Sequence, residues 1–246
     1  MPATRLGTWI STGSPAIAEL AALSGFDWVL LDLEHGCESE AAIPNQLRAL
    51  RGSRTAGIVR VGAPHPELIA RVLDWGAQGI MVPRVNSVAQ AETIVQAAHY
   101  APRGRRGLSR TVRAYDYGLN PPGPDTPAPL LIAQIETIEG VEHAAQIARL
   151  DGIDVLFVGP ADLQFDLKAR AVSAPRGYAQ CLTCVVDAAR AAGKAAGILV
   201  RDQADLQPHL DLGFTYVAVD SDLAILRKTY QQTMAGIARW CQVVRA

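Results

Sequence analysis

The sequence has no basic surplus, no cysteine framework and no long apolar run. Lys and Arg total 23 against 24 Asp and Glu, a formal net charge of −1, so nothing provides the electrostatic footprint of a nucleic-acid binder. The four cysteines, Cys37, Cys181, Cys184 and Cys241, are too few and too scattered for a disulfide scaffold. Cys181 and Cys184 form a CxxC, but in a helical stretch without a second ligand pair, which reads as core packing rather than a zinc site. Apolar runs such as Trp28–Leu31 and Leu130–Ala133 fall far short of the ~20 residues that span a bilayer. Glu19 and Asp27 interrupt any leader-like apolar stretch near the start. These absences lead us to expect a soluble, cytoplasmic protein with neither nucleic-acid nor membrane partners.

What is present is apolar and periodic. Apolar residues make up 49% of the 246, enough for a large core. Short β-rich runs alternate with amphipathic stretches, the pattern of a parallel sheet covered by helices. Strands are expected at Gly7–Ile10, Trp28–Asp32, Gly57–Val61, Gly79–Val82, Leu130–Ile135, Val155–Val158, Ala195–Val200 and Tyr216–Asp220. Helices are expected near Ser14–Ser24, Glu40–Arg51, Pro66–Asp74, Ser87–Ala98, Gly140–Leu150, Arg176–Ala192, Gln203–Asp211 and Asp222–Val244. Gly25, Gly76, Gly152, Gly193 and Gly213 each sit where a helix must stop before the next strand. Eight unbroken units over 1–246 predict a single (β/α)8 TIM-barrel domain, with an open doubly wound sheet as the alternative. The arginine- and proline-rich segment Pro102–Pro129 breaks the rhythm. Its ends fall on the bottom face, where a subunit contact or a solvated loop would serve.

In a barrel of this kind, chemistry collects at the carboxyl ends of the strands. Useful side chains stand there: Asp32, Glu34 and His35 at the end of the second strand, Arg60 at the end of the third, Gln134 and Glu136 at the end of the fifth, Asp162 beyond the sixth, and Asp220 at the end of the eighth. Glu136 and Asp162 top adjacent strands. Two carboxylates converging there repel unless a cation or donors lie between them, so a hard divalent ion or a hydrogen-bonded acid pair are both open. The small turn Gly159-Pro160-Ala161 would let backbone N–H groups approach an anion. Arg60 could stabilise enolate charge, or pair with Asp32 or Glu34. Asp32 could orient Arg60 or His35. His35 is placed for general base work. Strand alternation suggests that Glu34 points away. Arg84, after Pro83, could bind a second carboxylate or form a surface ion pair. Lysine is scarce, and none of Lys168, Lys194 and Lys228 is set within a strand top, which disfavours Schiff-base chemistry.

The segments GFDWVLLDLEHG (25–36), IVRV (58–61), LDWGAQGIMVPRV (73–85), RRGLSRTVRAYDYG (105–118), AQIETIEGV (133–141) and DGIDVLFVGPADL (151–163) occur in order along nearly the whole barrel. In that combination the chain resembles the metal-dependent pyruvate aldolases of the HpcH/HpaI group, within the phosphoenolpyruvate/pyruvate barrel superfamily. The resemblance implies Mg2+, Mn2+ or Co2+ on Glu136 and Asp162. It implies pyruvate or an oxoacid held by Gln134 and the Gly159–Ala161 backbone, with Arg60 on the enolate and His35 in proton transfer. It places Leu199 on the aldehyde side and Asp74 as a partner of the catalytic histidine, reachable here only across a subunit interface. It implies a homo-oligomer, a hexamer or trimer. The stretch after Asp162 departs from the family, which puts the acceptor aldehyde in doubt. A class II aldolase cleaving 4-hydroxy-2-oxoacids is the expected activity. A lyase on a CoA thioester, an oxaloacetate decarboxylase and a non-catalytic oxoacid-binding protein are the competing readings.

Overall fold

A computed structural model describes residues 3–123, 125–170 and 176–245, the last seven as backbone alone. Eight parallel strands form a closed barrel in chain order: β1 (Arg5–Ile10), β2 (Trp28–Asp32), β3 (Ala56–Arg60), β4 (Gly79–Val82), β5 (Leu130–Ile135), β6 (Val155–Val158), β7 (Ala195–Val200) and β8 (Tyr216–Ser221). Closure comes from β1 pairing with β8 in the register Arg5↔Tyr216. The helices are α1 (Pro15–Leu23), α2 (Ile43–Ala49), α3 (Pro66–Asp74), α4 (Val88–Ala98), α5 (Ile138–Arg149), α6 (Pro160–Ala169), α7 (Tyr178–Ala191), α8 (Leu206–Leu212) and α9 (Asp222–Arg245). All five helix-ending glycines named above take positive φ. The closed barrel, rather than the open sheet, is therefore the fold.

The strands are apolar on both faces because each face meets a different core. One core fills the layer between barrel and helices. The other fills the barrel interior, where Trp9, Trp28, Phe157 and Tyr216 pack with Leu30, Ile58, Met81, Ile132 and Val155. Trp28 stacks on Tyr216 with ring centroids 4.5 Å apart, and Trp9 lies 5.6 Å from Phe157. Such rings fit only because their neighbours are small: any side chain at Gly7 would collide with the Trp28 ring. The interior is thus a plug, and Trp9 at its upper end becomes part of the site above it. Cys181 is buried and Cys184 partly so in the helix-side core, as the packing reading of the CxxC requires.

One feature differs from expectation. The residues after β6, read as a turn followed by a compact loop, form helix α6 up to Ala169; residues 171–175 of that loop lie outside the described residues. Pro160 occupies the first turn of α6, where proline is favourable because its missing N–H has no helical partner to lose. The arginine-rich segment is tied down within the chain. Arg113 donates to the carbonyls of Trp75 at 2.6 Å and Leu47 at 2.8 Å, and Arg106 pairs with Asp74 at 2.6 Å. Those partners end α2 and α3, so the segment does lie on the bottom face. No helix among the described residues is long and apolar enough to cross a membrane.

Candidate active site

A cavity of about 300 Å³ opens at the carboxyl end of the barrel. It is lined by residues from most of the strand tops, among them Asp32, His35, Arg60, Gln134, Asp162 and Leu199, together with the turn Gly159–Ala161. Nine of the eleven residues expected at the site therefore meet there. Glu136 lies behind the wall, and Asp74 is elsewhere. Asp74 ends α3 and is engaged by Arg106 at the end of the barrel opposite His35.

Arg60 is held rigidly. Its Nε donates to Asp32 Oδ1 at 2.9 Å and its Nη2 to Asp32 Oδ2 at 2.7 Å, while Nη1 lies 2.9 Å from Glu34 Oε2. The guanidinium also sits over the Trp9 ring, 5.5 Å from its centroid. Burial works against its charge, but the hydrogen bond to Asp32 and the charges of Asp32, Glu34 and Glu136 outweigh that and keep it protonated. Asp32 thus orients Arg60 through its side chain. Its Oδ1 also accepts the backbone N–H groups of Glu34 at 3.0 Å and His35 at 3.3 Å. Glu34 does not point away, as alternation suggested. β2 ends at Asp32, the chain turns, and the strand period no longer applies. The His35 ring stands at the rim, 67% exposed, with Nε2 3.7 Å from Glu34 Oε1.

Glu136 is almost completely buried, and its Oε2 accepts the backbone N–H of Arg84 at 3.1 Å. Arg84 takes φ 53°, a left-handed conformation uncommon for a non-glycine residue. The Arg84 side chain is exposed and has no ion-pair partner among the described residues, so its contribution here is the backbone donor. On its other side Glu136 packs against Gly159, where any Cβ would strike its carboxylate. Burial first, then the charges of Asp162 and Glu34, push the Glu136 carboxyl up to about 7. Asp162 stands in the first turn of α6, where the helix N-terminus favours an anion. Nearby, Gln134 is buried with its side-chain oxygen lacking a hydrogen-bond partner among the described residues. No group of three or more His, Cys, Asp or Glu arranged to hold a metal occurs among the described residues. The oxygen set of Glu136, Asp162 and Gln134 nevertheless suits a hard cation, which binds through one or two carboxylates and takes its other ligands from water and substrate. A cation there would offset both the burial and the repulsion that raise Glu136 and could engage the unsatisfied Gln134 oxygen.

The raised carboxyl predicts a pH signature for the metal-free protein. Between its ordinary 4.5 and about 7, folded Glu136 binds a proton that the unfolded chain has released. Its contribution to stability therefore falls as pH rises through that window, by on the order of 3 kcal/mol once complete. In chelator, wild-type Tm should drop from pH 5 to pH 8 by roughly 5–10 °C more than that of Glu136→Gln. Parallel melting profiles for the two proteins would refute this assignment.

Residues 5–229 match the HpcH/HpaI aldolase/citrate lyase family. The chain belongs to that family. It is 36% identical over 230 residues to a 5-keto-4-deoxy-D-glucarate aldolase of Enterobacter sp. (strain 638), covering 93% of this chain and 90% of the relative. It is 34% identical over 233 residues to a hydroxypyruvate/pyruvate aldolase of Roseovarius nubinhibens, covering 94% and 91%. An HpcH/HpaI aldolase/citrate lyase family protein from Burkholderia cenocepacia J2315 superposes with a TM-score of 0.89 at 31% identity, covering 96% of this chain and 95% of that one. Membership makes the chain a carbon–carbon lyase of a family acting on small oxoacids. Four lining residues were not anticipated: Trp9, Ser11, Arg201 and Ser221. Arg201 was within reach of sequence reasoning, since it immediately follows the predicted seventh strand.

Proposed function

We propose that this HpcH/HpaI member is a class II aldolase that cleaves a 4-hydroxy-2-oxoacid to pyruvate and an aldehyde, and condenses them in reverse. The observation that carries the reading is the acid pair of buried Glu136 and half-buried Asp162 beside an unsatisfied Gln134 oxygen, next to a charged, clamped Arg60. Glu136 and Asp162 would hold Mg2+, Mn2+ or Co2+, which when bound acts as a Lewis acid on the substrate's keto group. The remaining work falls to the chain. Two of the five guanidinium N–H groups of Arg60 donate to Asp32 and Nη1 pairs with Glu34 by charge, which leaves N–H groups for the oxygen on which enolate charge builds. Gln134 and the start of α6 receive the substrate's oxoacid head; Pro160 has no N–H and that of Gly159 is taken by the Ile135 carbonyl at 3.2 Å, so within the Gly159–Ala161 backbone Ala161 supplies the N–H that suits a carboxylate. His35 at the rim takes the proton from the 4-hydroxyl. The C3–C4 bond then breaks, its electron pair becomes the enolate, and a returning proton at C3 gives pyruvate. Leu199 packs against the departing aldehyde. Asp74 would reach His35 only from a second copy. A homo-oligomer, hexamer or trimer, accords with exposed Leu20 and Leu23 on α1 and Tyr230, Met234 and Ile237 on α9.

Exchange of pyruvate methyl protons in D2O tests the reading. Mass spectrometry should show deuterium entering pyruvate with Mn2+ present and not with EDTA. Absence of exchange with Mn2+, or full exchange in EDTA, would overturn it. The family also includes citrate lyases, so malyl thioesters and oxaloacetate are the competing substrates. In a side-by-side assay pyruvate should form faster from hydroxy-oxoacids than from oxaloacetate, and malyl thioesters, whose cleavage would give glyoxylate, should yield little of it.

A further inference from the structure

His35 rides on a segment with little structure of its own. Residues 33–39 leave β2 and belong to neither helix nor strand. The imidazole makes no hydrogen bond among the described residues, so the backbone beneath it sets its place at the cavity mouth. That backbone is fixed at its near end by Asp32, which accepts the N–H groups of Glu34 and His35. At its far end the Cys37 N–H donates to the Ser11 carbonyl at 2.7 Å, and the Glu38 side chain meets Gln46 on α2. The surface beneath is firm. Asp222, at the start of α9, accepts the Ser11 N–H at 2.9 Å and the Thr12 N–H and hydroxyl at 3.0 and 2.6 Å. Glu38 crosses Gly13, where any Cβ would strike its side chain.

An ionised Glu38 would leave this contact half made. Gln46 is fully buried, and its Nε2 donates to Glu38 Oε2. Glu38 Oε1 and Gln46 Oε1 are also buried, and neither has a hydrogen-bond partner among the described residues. Buried acceptors are seldom left without a donor, because they have given up the hydrogen bonds of water. An ionised carboxylate has no donor to offer, whereas a carboxylic acid has one. With the proton on Oε1 and directed at Gln46 Oε1, acid and amide each give and take one hydrogen bond. A single proton thus satisfies both oxygens. The surroundings favour that form. The charged groups facing Glu38 are Asp32 on β2 and Asp222 on α9, both carboxylates, while Gln46 and the loop after β1 bring no charge. Burial first, then those two carboxylates, raise the Glu38 carboxyl against the lowering effect of the Gln46 hydrogen bond.

We propose that Glu38 is a positioning residue: as a neutral acid paired reciprocally with Gln46, it pins the far end of the segment that carries His35, and loss of its proton releases that end. The kinetic side of this inference rests on the part given to His35 in the proposed aldolase. Because the folded-state carboxyl is raised, the pair holds fully below the ordinary 4.5 and is lost as pH rises through the higher folded-state value. An anion between Asp32 and Asp222, facing a buried amide oxygen, has reason to turn to solvent, and His35 then keeps only its near tie.

Amide hydrogen exchange of residues 33–42, corrected for its intrinsic pH dependence, tests the pair without catalysis. In the wild type it should quicken by about 10-fold between about pH 5 and about pH 8. Glu38→Gln, whose amide also gives and takes one hydrogen bond with Gln46, should stay slow throughout, and Glu38→Ala should be fast throughout. Matching profiles in the wild type and Glu38→Gln, or slow exchange in Glu38→Ala, would overturn the pair. Steady-state kinetics with a hydroxy-oxoacid and Mn2+ tests the positioning. At about pH 5 Glu38→Ala should lower kcat by about 10-fold with KM nearly unchanged, and Glu38→Gln should match the wild type. At about pH 8 Glu38→Gln should outpace the wild type. In a His35→Ala background the Glu38→Ala loss should vanish, since Glu38 acts through the histidine. A loss that persists there, or one carried by KM, would overturn the positioning role. If the wild type exchanges no pyruvate protons in D2O, the aldolase reading falls, while the amide exchange profiles still decide the pair.

Discussion

Glu136→Gln is expected to lower kcat/KM for pyruvate release by about 1000-fold or more, while making the metal-free protein more stable at pH 8. The two effects have one cause. The carboxylate is buried against Gly159 and beside Asp162, where its charge is disfavoured unless a cation shares it. The amide keeps the shape but removes the charge. It would weaken the cation's hold, and with it a polarising influence worth several kcal/mol on the barrier. It would also remove the ionisation cost borne by the free protein above about pH 7. Asp162→Asn should separate these consequences. It lies in the first turn of α6, where an acid is favourable, so activity should fall as steeply while stability drops by about 0.3–1 kcal/mol. Coupled assay of pyruvate with saturating Mn2+, together with melting in EDTA, gives both quantities. Retained activity in Glu136→Gln, or a lower melting temperature at pH 8, would contradict a charge kept for function at the expense of stability.

The barrel was legible because its signals are local. Strands buried on two faces read as short apolar runs, and helix ends read as glycines in left-handed backbone. Strand tops then located Asp32, Arg60, Gln134 and Asp162 at one cavity, since a barrel maps chain position onto height. What was not legible depends on contacts between distant segments or on local rules with exceptions. α6 was hidden because Gly159-Pro160 reads as a turn, although proline in a helix's first turn is a start signal as well. Glu34 was misplaced because the strand period was carried past the end of the strand. Arg106 and Arg113 find the ends of α2 and α3, Arg103 finds Asp151, and no spacing in the sequence announces those partners. Lys228 lies on α9 and was set aside as remote, yet folding brings its amine to Asp220 at the mouth. It is about half exposed and committed to that carboxylate, so the case against amine nucleophile chemistry stands on contacts as well as on sequence.

Arg60→Lys should lower kcat by about 100- to 1000-fold with little change in KM. The argument begins with stability, because it dictates the choice of variant. Asp32 is buried and Glu34 half-buried, and Arg60 is the cation between them. Truncation to alanine would strand those carboxylates, a loss of about 3–5 kcal/mol that confounds any kinetic reading. Lysine keeps the charge and so preserves more of the fold. It cannot keep the geometry. The guanidinium spans both oxygens of Asp32, reaches Glu34 with a third nitrogen, and still has N–H groups left. An ammonium has three donors on one atom, and the two carboxylates would claim them. The oxygen that gains charge as the enolate forms would then lose its donors, a deficit felt in the transition state and hardly in the ground state. That asymmetry is the check: steady-state kinetics on a hydroxy-oxoacid should show the loss in kcat. A loss confined to KM would mean that Arg60 only binds substrate, and that enolate stabilisation rests on other groups.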